Sequence, residues 1–140
     1  MKKVIEIQKQ ISELRNKRLG IIDNFINKEL GPLCSLLEKL GFKNESFRED
    51  IRGYVITVDH IDGLRANSFR IEYDYDCDHF YIHMTKRKSY ENISGKFDMY
   101  LSWQVTEDNY KEKVSEILET MKYEYEDLIR EHKLERITNG

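Results

Sequence analysis

A single alanine, a single proline and only two cysteines in 140 residues exclude several classes before any motif is sought. Cys34 and Cys77 form no CxxC pair and are too few for a disulfide framework, so free thiols in a reducing, cytoplasmic compartment are expected. No stretch approaches the roughly 18 consecutive apolar residues of a membrane span, and the charged first twenty residues hold no signal-peptide core. No membrane partner is expected. Also missing are GxSxG, a phosphate-binding glycine loop, GxGxxG and HExxH, which leaves nucleophilic catalysis without visible apparatus. The expectation is a protein that is not an enzyme and carries no cofactor.

A surplus of base is lacking too. The 23 Lys and Arg against 26 Asp and Glu give a formal charge of -3 and a pI near 5.9. Neutralising phosphate needs concentrated cations, so nucleic acid is not expected as a partner of the chain as a whole. The charge is nevertheless uneven. Residues 1–43 carry nine bases and five acids, residues 107–140 six bases and ten acids, so the two ends attract.

What is present specifies a folded chain. Hydrophobic residues make up 39% and charged residues 35%, too apolar for disorder and of a length that suits one domain spanning 1–140. The scarcity of alanine beside abundant Lys, Ile, Asn, Glu and Tyr matches the composition that AT-rich bacterial or phage genomes encode.

Hydrophobic period assigns the elements. Val4, Ile7, Ile11, Leu14, Ile21 and Phe25, widened by Ile22 and Ile26, recur at helical spacing and predict a long helix over 1–30. In "GPLCSLLEKLGF", Gly31 stops that helix, Pro32 opens a short one over 32–41, and Gly41 is placed for a left-handed cap. From Tyr54 the period becomes two, and four strands over 54–105 form an antiparallel meander, the first turn marked by Asp62-Gly63. Thr106 as N-cap, with Glu107 and Asp108 in the first turn, starts a C-terminal helix over 107–134. The fold class is therefore α+β, with the helices packed on one face of a four-stranded antiparallel sheet. A strand near six residues spans about 20 Å and a helix near 25 residues about 37 Å, so the first helix should overhang the sheet and a homodimer is expected.

The stretch "YDYDCDHFYIH", residues 73–83, concentrates the chemistry. A turn at Cys77 and Asp78 would place Tyr75 opposite Phe80, Tyr73 opposite Ile82 and Ile71 opposite Met84. Glu72 would then oppose His83, and Asp74 would oppose Tyr81. Alternating acids and aromatics then describe the polar and core faces of one hairpin. Convergence of Glu72, Asp74 and His83 on a metal ion is the competing reading; flat sheet faces seldom enclose an ion, and no metal ligand set is expected. A basic loop, "KRKSYENISGK", adjoins this face.

The functional expectation is a small protein-binding module, an inhibitor or assembly factor of immunity, phage or regulatory type. Its partner surface would comprise Glu72, Asp74, Asp76, Tyr81, His83, Lys86, Arg87, Lys88, Asp98 and Tyr100, because tyrosines with mixed charge suit protein interfaces. The alternatives are a metal-dependent hydrolase or nuclease using the acidic hairpin, and a nucleic-acid or nucleotide binder using the 85–96 loop.

Overall fold

The computed structural model describes residues 1–46, 48–60, 63–86, 99–126 and 128–130. The first helix, α1 (Lys2–Glu29), ends at Leu30, whose backbone N–H still reaches the Ile26 carbonyl at 3.1 Å while its own carbonyl accepts from Leu33 in the next helix. The break falls one residue before Gly31, the stop that the sequence suggests. Helix α2 (Gly31–Lys39) begins at Gly31, with Pro32 in its first turn, where no N–H is needed. It closes with Gly41 at φ +91°, the Gly41 N–H bonded to Glu38 O at 3.1 Å and the Phe42 N–H to Leu37 O at 3.0 Å. This pair of bonds is a Schellman motif, and the positive φ is why glycine stands there.

Strands β1 (Lys43–Asn44), β2 (Ile51–His60), β3 (Gly63–Asp74), β4 (His79–Lys86) and β5 (Met99–Val105) form an antiparallel meander in sequence order, and α3 (Tyr110–Glu124) follows. The architecture is α+β, as the pattern of elements indicates, but with five strands instead of four. The extra strand is only two residues long, too short to display a period, and β2 starts three residues earlier than Tyr54. The last helix also starts later than expected. Residues 107–109 form a turn held by reciprocal bonds, Thr106 N–H to Asn109 Oδ1 at 2.8 Å and Asn109 N–H to Thr106 Oγ at 3.2 Å, and Asn109 becomes the N-cap residue. Thr106 caps that turn, not the helix. Helix α3 ends at Glu124, with further helical residues up to 130; residues 131–134 of the expected helix lie outside the described residues.

The core lies between one sheet face and the helices. Ile22, Ile26 and Leu30 enter it from the end of α1, Leu33 and Leu37 from α2, and Ile117 and Met121 from α3, over Phe69, Ile71, Ile82 and Met84. Arg52 is on the same face and reaches α1, donating to Asn27 Oδ1 at 2.6 Å. The N-terminal part of α1 takes no part in this packing: residues 1–18 are exposed throughout, including Val4, Ile7, Ile11 and Leu14.

Tyr125 marks an imperfection in the core. Its ring lies 5.2 Å from Phe42 and is fully buried, yet its hydroxyl has no hydrogen-bond partner among the described residues. Burial also pushes its ionisation well above the usual tyrosine range. An unsatisfied buried hydroxyl is costly, so Tyr125→Phe should stabilise the chain by about 1 kcal/mol, visible as a higher urea midpoint at unchanged slope. A lower midpoint would mean that the hydroxyl does have a partner.

Candidate outer-face binding surface

The β3–β4 hairpin closes at the Asp74–His79 pair, with Tyr75–Asp78 as a four-residue turn. Tyr73 therefore opposes Phe80, Ile71 opposes Ile82, and Phe69 opposes Met84. This corrects the register that a two-residue turn at Cys77-Asp78 implies. A tight two-residue turn of type I′ needs positive φ at both central residues, but here only Asp78 adopts it, at +55°. Asp74 instead folds over the turn, its Oδ1 accepting the Asp76 N–H at 2.9 Å while the Asp78 N–H bonds Asp74 O at 2.9 Å. Tyr73 donates to Asp78, which pushes the Tyr73 hydroxyl up to about 12. Because the slip is two residues, each side chain keeps its face and only its opposite number changes.

On the face turned away from the helices, Glu72 thus opposes Tyr81 and His83 opposes Arg70. Tyr81, His83 and Tyr100 make an aromatic row across β4 and β5, with centroids 6.3 Å and 5.8 Å apart and rings near parallel. The Tyr100 hydroxyl lies 2.7 Å from His83 Nδ1, and that of Ser102 lies 3.2 Å from it. Nδ1 is the acceptor when Nε2 carries the proton, which points Nε2–H toward Glu72 Oε2 at 3.9 Å. Glu72 is also held by Arg48 at 2.9 Å and faces Arg70 at 3.8 Å. With two guanidiniums on it, Glu72 is an ion-pair hub, and no group of three or more His, Cys, Asp or Glu among the described residues is placed to hold a metal ion.

The structure gathers Glu72, Tyr81, His83 and Tyr100. Asp74 and Asp76, at the shoulder and tip of the hairpin, line a cavity of about 550 Å³ together with Glu72, Tyr81 and His83. Lys86 is on the helix side of the sheet, its ammonium donating to the carbonyl of Glu124 at the end of α3, where a cation opposes the helix dipole. Arg87, Lys88 and Asp98 lie outside the described residues. Arg48, Arg70 and Ser102 belong to the surface although sequence reasoning did not select them. Arg70 and Ser102 fall on the polar phase of their strands and were legible; Arg48 comes from the loop before β2 and carries no periodic signal. Beside the row, Glu45, Gly53, Arg70, His83, Thr85 and Tyr100 line a groove of about 310 Å³.

Burial, then the cation of Arg70, lowers the pKa of His83, and Glu72 opposes the effect only in part. The unfolded chain therefore takes up this proton at a higher pH than the folded one. Stability contributed by neutral His83 is complete above its unfolded pKa near 6.5 and is lost as pH falls through the folded value. Melting curves from pH 7.5 down to 5 should show a loss that shrinks in His83→Gln. Equal losses in both proteins would remove His83 from the account.

No helix among the described residues is long and apolar enough to cross a membrane. Comparison with protein-family models, with curated proteins and with solved structures yields no match to this chain.

Proposed function

We propose that this chain is a small, non-enzymatic protein-binding module that inhibits or assembles with a protein partner, and that the partner docks on the outer sheet face. The observation that supports the reading is the row of Tyr81, His83 and Tyr100, near parallel and flanked by Arg48 and Arg70, on a face over which no described helix lies. Tyrosine and arginine supply much of the energy of protein interfaces, and side chains already fixed by hydrogen bonds lose little freedom when covered. Arg48, Arg70, Glu72 and Asp50, which lies 3.4 Å from Arg48, give the surrounding charge that sets orientation.

The test uses the chain on a solid support to capture partners from its host, followed by kinetics with each purified partner. Tyr81→Ala and Tyr100→Ala should each speed dissociation by about thirtyfold, the effect of losing an interface hot spot, while Arg70→Ala should mainly change the association rate and its salt dependence. Binding that ignores both tyrosine changes would place the interface elsewhere. Retention of nucleic acid that weakens steeply with salt and depends on Lys86, Arg87 and Lys88 would favour the loop instead.

A further inference from the structure

At the hairpin end of the sheet, the face toward the helices carries one rung of three residues, Tyr73, Phe80 and Val105, opposite one another across β3, β4 and β5. Helix α1 crosses this rung, and Phe25 stacks on Phe80 at 4.9 Å. The packing is incomplete. A cavity of about 250 Å³ remains between helix and rung, lined by Ile21, Ile22, Phe25, Tyr73, Phe80 and Val105. An apolar cavity of about 150 Å³ holds benzene, so this one has room for a benzyl or isobutyl group. Ile21 is 65% exposed, apolar surface that such a group would cover. Three charged side chains share the lining, each from a different element: Arg18 from α1, Asp78 from the hairpin turn and Glu107 from the turn before α3. Arg18 stands over the Tyr75 ring, 4.1 Å from its centroid, and Tyr75 is edge-on to Tyr73 at 5.1 Å. A guanidinium stacked on a ring keeps its in-plane N–H donors, and no described carboxylate pairs with this one. Tyr73 donates to Asp78 Oδ1 and holds that carboxylate in place. Glu107 has no cation partner among the described residues.

We propose that this cavity binds a free α-amino acid with an aromatic or branched apolar side chain. The side chain enters among Ile22, Phe25, Phe80 and Val105, the α-carboxylate meets the in-plane donors of Arg18, and the α-ammonium is held by Asp78 and Glu107. Charge of both signs selects this class. A neutral hydrocarbon would use none of the three charges. An amine would bring a like charge to Arg18 without the carboxylate that matches it, and an aromatic acid would bring its carboxylate toward two others. An ammonium has three donors, which two carboxylates can share. Arg18 is already held by Tyr75 and Asp78 by Tyr73, so binding orders little that is free. The cavity is on the helix side of the sheet, and the proposal does not rest on the outer-face reading.

Titrating the isotope-labelled full chain with L-phenylalanine should shift the backbone amides of Ile21, Phe25, Asp78, Phe80 and Glu107 saturably, with a dissociation constant of about 1 mM. Glycine, which has both charges and no side chain, should leave them in place. Hydrocinnamate lacks the ammonium and phenylalaninamide lacks the carboxylate. Each should bind about threefold to fivefold more weakly than phenylalanine, the scale of one exposed ion pair. Arg18→Gln should weaken phenylalanine by the same factor and leave phenylalaninamide unchanged, whereas Glu107→Gln should weaken phenylalanine and leave hydrocinnamate no weaker. Both residues are exposed, so the fold is kept. Amides that do not move at phenylalanine concentrations well above that constant, analogues or glycine that bind as tightly as phenylalanine, or undiminished affinity in either variant would each overturn the proposal.

Discussion

Ile26→Ala should lower the unfolding free energy by about 2–5 kcal/mol, whereas Ile11→Ala, on the same helix, should change it by no more than about 0.5 kcal/mol in dilute solution. Ile26 is 3% exposed and belongs to the cluster that joins α1 to α2, α3 and the sheet; Ile11 is 59% exposed. Truncating Ile26 removes apolar contacts and leaves a cavity that the surrounding Leu30, Leu33 and Leu37 can fill only in part. Truncating Ile11 removes surface that water already reaches. Urea titrations at low protein concentration measure both, and the slope should stay constant because the unfolded chain exposes nearly the same area. Comparable losses in dilute solution would mean that the N-terminal half of α1 is anchored to the body after all.

That contrast shows where sequence periodicity stops informing. Val4, Ile7, Ile11 and Leu14 read the same as Ile22, Phe25 and Ile26, because a stripe reports that a face will be covered but not by what. Length does not supply the missing part: α1 has 28 residues, about 42 Å of helix, but β3 has 12 residues, about 40 Å of strand, where a strand near six residues is expected from the sequence. The strand faces were legible. Phe80, Ile82 and Met84 are buried as their alternation indicates, and Tyr100 and Ser102 point outward. Opposite partners were not, because they depend on the turn, and Asp74 and Asp78 build a turn of four residues whose geometry no alternation encodes. Within the candidate site, Tyr81, His83 and Tyr100 could be assigned to one face, but their near-parallel stacking follows from the β4–β5 register. The ion pair from Arg48 to Glu72 joins residues 24 apart through a loop, and pattern alone gives no access to it.

The edge of the sheet depends on one glycine in the same hidden way, and Gly53→Ala should destabilise the chain by about 1–3 kcal/mol, the usual cost of forcing atoms into a filled site. Gly53 lies on the outer face opposite Arg70, where the chain leaving β1 crosses it: the Glu45 N–H donates to Gly53 O at 2.7 Å. A Cβ on residue 53 would stand 2.7 Å from Glu45 O and 3.6 Å from its carbonyl carbon. Those atoms are backbone, so no rotamer change relieves the clash, and β1 must move. Its hold is slight, two pairs at Lys43–Val55 and Asn44–Tyr54, and displacement also takes away the Glu45 wall of the groove beside Tyr100. Hydrogen exchange should locate the change, with protection lost at the amides of residues 43–45 and kept along β3 and β4, where pairing is continuous. If alanine leaves both the urea midpoint and the protection of Glu45 intact, β1 does not cross there as described. If protection is lost and partner binding weakens with it, the seated β1 is part of the docking surface as well as of the fold.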